Sequence, residues 1–205
     1  MQTFTTLGGS VSTQTFPLNE PLDLRQAVEV VRLTTPDAIF LPLFHPQANL
    51  LINQLHTEDI EIPVIGSDTL FLPDSAVSIG EAGTDLYITQ IALSGAAYER
   101  FQEQWRSQIG IEPASNGGAF AYDAINFLLE GVEDVTLSSE NQTLVIPRSS
   151  LQARLADTTA YGGLTGTITC GGNGECGAIN LYGVYQLDGA EIQGENWPPA
   201  LVWRP

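Results

Sequence analysis

The sequence contains no lysine. All seven of its basic side chains are arginine, against 24 acidic ones, which gives a formal net charge of −17. Without lysine there is no Schiff-base chemistry and no phosphate-loop lysine. The charge balance denies the chain the basic footprint that nucleic acid requires, and an anionic membrane surface would repel it. Solubility is the plain reading of such acidity, and capture of a cationic partner is the alternative. Histidine is as scarce: His45 and His56 are the only two, and both lie far in sequence from the only cysteines, Cys170 and Cys176. No metal ligand set and no cofactor are expected from so few donors. There is no Gly-x-Ser-x-Gly elbow, and the glycines of "GGAF" and "YGGLTG" are wrongly spaced for a dinucleotide or phosphate loop. No apolar run reaches the roughly 18 residues of a membrane span. The opening Met-Gln-Thr-Phe-Thr-Thr lacks the basic start and apolar run of a signal peptide, so none is expected there.

What is present describes a folded chain. Of the 205 residues, 43% are hydrophobic and 15% charged, a balance that supports a buried core. Residues 8–16 alternate and read as a strand. Residues 22–34 carry Leu24, Ala27, Val28 and Val31 at helical spacing. "DAIFLPLF" (37–44) is an almost unbroken apolar run of the kind found in a parallel strand buried on both faces. A helix is expected over 46–56, short strands over 62–66 and 85–93, and a helix over 95–110 closed by Gly110. The segment 117–132 is apolar nearly all round, which predicts a helix buried between two layers. Strand and helix alternating in this way predict an α/β fold, a parallel sheet with flanking helices. Beyond residue 140 the pattern changes to a short serine-capped helix over 147–158 and glycine-rich β-hairpins. The chain ends in an extended segment. Cys170 and Cys176 are separated by five residues, three of them glycine, so the loop can bring the sulfurs together. A disulfide is expected, and two free thiols or a metal site are the alternatives. A disulfide would imply an oxidising compartment.

"VIGSD" places Ser67 and Asp68 directly after an apolar strand. In open α/β sheets, ligands sit beyond the carboxyl ends of the strands. A carboxylate there can receive a ligand ammonium, or it can cap a turn. His45 lies in another strand-to-helix loop and lines a pocket or serves the loop. His56, at a helix end, reads as a solvated or capping residue.

In order, "PDAIFLPLFHPQANLLINQL", "IPVIGSDTLF", "AYERFQEQWRSQIGIEPASNGGAFAYDAINFLLEG" and "LTGTITCGGNGECGAINLYGVYQLDG" resemble periplasmic substrate-binding proteins of the leucine/isoleucine/valine type, which serve branched-chain amino acid ABC transporters. The resemblance implies the type I two-lobed clamshell, with the ligand between the lobes. It places 1–112 in the second lobe, 113–176 in a segment crossing to a mostly absent first lobe, and 177–205 in return strands and an extended end. It implies that Asp68, with Ser67, meets the ligand's α-ammonium. Phe44 and His45 would supply a wall of the site, and Phe120 and Tyr122 would lie near the cleft or in the core. The implied function is extracytoplasmic capture of an amino acid, branched-chain or related, for delivery to permease subunits, with no enzymatic step. The rivals are a sensor ectodomain of the same fold, a hydrolase using His45, and a truncated chain with no function of its own. With one lobe mostly absent, the apolar 117–160 region is expected to self-associate or to repack against the chain's own sheet.

Overall fold

The computed structural model describes residues 2–15, 24–138, 143–178, 182–187 and 197–205. After a short helix α1 (Gln2–Thr6), the body of the chain alternates helix and strand. Its elements are α2 (Arg25–Thr34), β1 (Ile39–Leu41), α3 (Gln47–Thr57), β2 (Val64–Gly66), α4 (Pro73–Ile79), β3 (Leu86–Ile91) and α5 (Ala96–Ile109). Strands β1, β2 and β3 are parallel neighbours, with Ile39 opposite Val64 and Val64 opposite Leu86. Strands β9 (Tyr182–Gln186) and β10 (Ala200–Trp203) join this sheet antiparallel, in the order β1-β2-β3-β9-β10.

The core follows from the helical spacing. Ala48, Leu51, Ile52 and Leu55 form one face of α3 and are buried against Leu41, Val64, Leu86 and Ile88 of the strands. Ala27 and Val28 of α2 and Ala76 and Ile79 of α4 complete the cluster. One polar clasp lies inside it. Asn49 on α3 accepts the Ser75 hydroxyl at 3.0 Å and donates to the Ser75 carbonyl at 3.3 Å, which pins α3 to α4. Buried polar groups paired in this way avoid most of the desolvation cost that either would carry alone.

A second group of elements stands between β3 and β9 in sequence. It comprises α6 (Gly117–Val135), a hairpin of β4 (Leu137–Ser138) and β5 (Leu144–Val145), α7 (Arg148–Ala156), and the antiparallel sheet β6 (Tyr161–Gly163), β7 (Gly166–Cys170), β8 (Cys176–Ala178). Helices α6 and α7 cross closely at Gly131, where an added Cβ would fall 2.8 Å from Leu155 Cδ2 and 3.2 Å from Leu151 Cδ1. The Phe127 and Tyr161 rings meet edge-on at 5.2 Å and join α6 to β6. Cys170 and Cys176 are disulfide-bonded across the β7–β8 hairpin.

The mixed α/β architecture with a mainly parallel sheet and separate hairpins is the one the alternation predicts. Several local expectations fail for physical reasons. Residues 8–15 form no strand, because they are largely exposed and have no neighbouring strand to pair with; Phe16, Leu22, Asp23 and part of the C-terminal segment lie outside the described residues. The apolar run 37–44 yields only a three-residue strand at the sheet edge, with Phe40 exposed rather than covered on both faces. Helix α7 begins at Arg148, with Pro147 in the capping position and no side-chain cap from a serine. Helix α6 is not enclosed between two layers: only Ala119, Asp123 and Gly131 are buried, and Ile125, Leu128 and Leu129 face outward.

Candidate functional site

At the carboxyl end of β2 the backbone turns tightly. A Cβ on Gly66 would lie 2.6 Å from Leu70 Cδ1, so glycine is what lets the fully buried Leu70 fold back over the strand end. Residues 68–70 form one turn of 3₁₀ helix. The Thr69 hydroxyl donates to the Leu43 carbonyl at 2.9 Å, tying the β1–α3 loop to the end of β2. With that proton committed, the Ser67 hydroxyl is the donor in its 2.9 Å bond to Thr69. Ser67 and Thr69 therefore serve the turn, and Asp68 is left exposed between them.

The next strand end is built from amides. Gln90 is 8% exposed, and its Oε1 accepts the Ile91 backbone N–H at 2.8 Å. Asn116, immediately before α6, donates to the Ile91 carbonyl at 2.5 Å and accepts the Tyr98 hydroxyl at 2.9 Å. This bridge fixes the start of α6 against the end of β3 and against α5. The Tyr122 and Phe101 rings, edge-on at 5.6 Å, reinforce the second contact.

Between these two strand ends lies a cavity of about 300 Å³. Asp68, Thr69 and Leu72 form one wall, Gln90 and Ile91 the floor, and Ser115 to Gly117 with Phe120 the opposite wall. None of the lining residues is basic. A second cavity of about 240 Å³ shares Ser115 and Asn116 but opens among Phe71, Tyr98, Tyr185 and Pro198. Burial pushes the Tyr98 and Tyr185 phenols above their ordinary pKa. The first cavity is the better candidate, because it sits at the carboxyl ends of the adjacent parallel strands β2 and β3.

Of the residues singled out from sequence, Asp68 and Phe120 are brought together in this cavity. Ser67 is beside it but spent on the turn. Phe44 is 70% exposed and does not line it. His45 is exposed too, and its Nδ1 accepts the Asn49 amide at 3.0 Å, so its ring is oriented by α3. Tyr122 faces α5 through Phe101. Gln90 and Asn116 escaped sequence reasoning, although Gln90 left a trace. It falls in the phase of Leu86 and Ile88, where an apolar residue would continue the buried face of β3. Among the described residues no group of three or more His, Cys, Asp or Glu could hold a metal ion, and no helix is long and apolar enough to cross a membrane.

No protein-family model and no curated protein matches the sequence. Solved structures do. A leucine-binding protein, LivK, from Thermotoga maritima is 23% identical; the match covers 99% of this chain and 54% of that one, with a TM-score of 0.78. The branched-chain amino acid transporter substrate-binding protein LivJ from Streptococcus pneumoniae, in complex with isoleucine, is 18% identical, covering 89% and 49% at a TM-score of 0.68. A solute-binding protein of an ABC transporter from R. palustris, in complex with benzoate, is 20% identical, covering 92% and 50% at the same TM-score. The fold is that of the type I periplasmic binding proteins. The chain spans about half the length of each of these three structures.

Proposed function

We propose that this chain forms part of an extracytoplasmic solute-binding protein of an ABC transporter. Its cavity at the β2 and β3 ends would hold the ammonium end of an amino acid, branched-chain or related, for delivery to permease subunits. The observation that carries the reading is Asp68, a carboxylate with no ion-pair partner among the described residues, in a cavity whose other lining residues are all uncharged. An ammonium is the group such a site stabilises best, through a charge-assisted hydrogen bond. The structural neighbours include proteins named for leucine binding and for an isoleucine complex. The benzoate complex on the same fold shows that the fold alone does not choose the ligand. The Cys170–Cys176 disulfide supports an oxidising compartment. No turnover is assigned: His45, the histidine a hydrolase would use, stands outside the cavity, held by Asn49.

The test is calorimetry or NMR titration with L-leucine, L-isoleucine and benzoate, on the chain and on Asp68→Asn. Losing a charge-assisted contact costs about 1.5–3 kcal/mol, or roughly ten- to a hundredfold in affinity. The amino acids should weaken by that factor with little change in melting temperature, because Asp68 is exposed. Unchanged amino-acid affinity in the variant, or binding of benzoate alone, would overturn the reading.

A further inference from the structure

We infer that Gln90 is a ligand-recognition residue of this cavity, and that its amide nitrogen selects molecules that carry an oxygen acceptor as well as an ammonium. The inference rests on the solute-binding reading above and adds to it a second recognition group. Its basis is an accounting of hydrogen-bonding capacity around the cavity. Thr69 spends its proton on the Leu43 carbonyl and accepts from Ser67. Asn116 donates to Ile91 and accepts from Tyr98. The Ser115 hydroxyl oxygen accepts the Gly117 backbone N–H at 3.2 Å. Ser115 keeps its hydroxyl proton and Asn116 one N–H, but Gln90 is the residue of the four whose whole NH₂ group is uncommitted among the described residues.

The carbonyl oxygen of Gln90 accepts the Ile91 N–H at 2.8 Å. A backbone N–H can be met only by the oxygen, so this bond fixes which way round the amide sits. The NH₂ group is then left with no hydrogen-bond partner among the described residues, on a side chain that is 92% buried and lines the cavity. That NH₂ opens onto the cavity, where water meets it until a ligand acceptor takes its place. Gln90 stands in the apolar phase of β3, after Leu86 and Ile88, where a leucine or methionine would serve packing alone and offer the cavity no donor. Asp68 offers only acceptors and Gln90 offers two free donors, so the cavity complements a ligand with an ammonium and an oxygen. That oxygen belongs either to an amino acid's α-carboxylate or to its side chain.

The experiment uses the full chain in two-dimensional NMR titrations, following the Gln90 side-chain amide signal. Three probes are compared: L-asparagine, L-leucine of similar shape without the side-chain oxygen, and 3-methylbutylamine, which has no oxygen. Two variants accompany the wild type. Gln90→Glu keeps an oxygen for the Ile91 N–H and removes the donor, and Gln90→Met removes the donor without adding charge. Thermal unfolding checks that both fold. Asparagine should shift the Gln90 amide signal and bind about tenfold or more weakly to each variant, while 3-methylbutylamine binds each at least as well as it binds the wild type. If leucine weakens along with asparagine, the oxygen is the α-carboxylate; if leucine holds, it is the side-chain oxygen. Equal losses for all three probes, or no loss for any, would overturn the role of Gln90 while leaving solute binding intact. Failure of every amino acid to bind the folded wild type would overturn both.

Discussion

Asp123 gives the sharpest test of how the second group of elements is held together. Its carboxylate is 3% exposed and accepts three bonds from one turn: Leu164 N–H at 2.8 Å, Thr165 N–H at 2.7 Å and the Thr165 hydroxyl at 2.6 Å. The turn follows β6 and lies against α6 so closely that a Cβ on Gly163 would come 2.5 Å from Asp123 Oδ2. Asp123→Ala deletes both acceptor oxygens, and with them three bonds, and strands three donors, two of them on the buried Thr165. Each stranded donor costs about 1–3 kcal/mol. The lower bound is therefore about 3 kcal/mol. Local detachment of the turn, which would let water reach the donors, caps the loss near 5 kcal/mol. Asp123→Asn should fall between wild type and alanine, since its oxygen still accepts while its NH₂ opposes a donor. Urea unfolding at unchanged slope reads the loss, and hydrogen exchange at Leu164 and Thr165 locates it. A loss below about 1 kcal/mol in the alanine variant, with both amides as protected as before, would refute the view that this carboxylate anchors β6 and β7 to α6.

Three further outcomes are expected. Alkylation without reductant should leave Cys170 and Cys176 unlabelled by intact mass in protein made under oxidising conditions. Reduction should cost on the order of 2 kcal/mol, the chain-entropy value for a sequence separation of 6. The Tyr98 and Tyr185 phenols are held above 10.0, chiefly by burial, so the unfolded chain releases those protons first. Their stabilisation is full below pH ~10 and is lost as the pH rises through the raised folded values. Tyr185→Phe should flatten the alkaline fall in urea midpoint, and identical pH profiles would sink this. The exposed Ile125, Leu128 and Leu129 of α6, with Leu137, Leu144 and Val145 of the following hairpin, should drive self-association visible by light scattering across a concentration series. A strictly monomeric species, or an Ile125→Glu variant that associates as readily as wild type, would count against it.

Most of the main sheet was legible because its pattern is local. The periodicity of α3 places Ala48, Leu51, Ile52 and Leu55 on one face, and the structure buries that face. Gly110 was readable as the stop of α5 and adopts the left-handed region at φ 85°. Other elements were hidden because their stability comes from neighbours. Helix α4 is seven residues of weak apolar period, and it is held by Ser75 against Asn49, a contact between positions 26 apart. The apolar run of β1 could not reveal that its strand lies at the edge, since sheet order depends on pairing partners far along the chain. The site divides in the same way. Gly66-Ser67-Asp68 after a short apolar run announces a strand end with a carboxylate. Nearness in sequence to a strand end does not say where a side chain goes, which is why Phe44 and His45 stand outside this cavity; Tyr122, within α6, meets Phe101 of α5. Asn116 joins α5, β3 and α6 through Tyr98 and Ile91, and no local pattern encodes a three-way contact.

Polar residues at a strand end are common, so their presence marks nothing by itself; what separates a structural group from a recognition group is whether the fold consumes it. Around this cavity the fold consumes the Ser67 and Thr69 hydroxyls to hold the turn. It consumes the Asn116 oxygen, and bonds its nitrogen, to start α6. It uses only half of Gln90. The Asp68 carboxylate, exposed, has no ion-pair partner among the described residues, although Arg32, Arg106 and Arg154 form ion pairs elsewhere, at Glu58, Glu112 and Asp134. With a net charge of −17 on the chain, the surrounding field favours the approach of cations and opposes anions. An α-amino acid is neutral overall and gains little from that field at a distance. Under the proposed function, its discrimination would come from contacts inside the cavity, where the Asp68 carboxylate and the Gln90 NH₂, neither paired among the described residues, stand on adjacent strand ends.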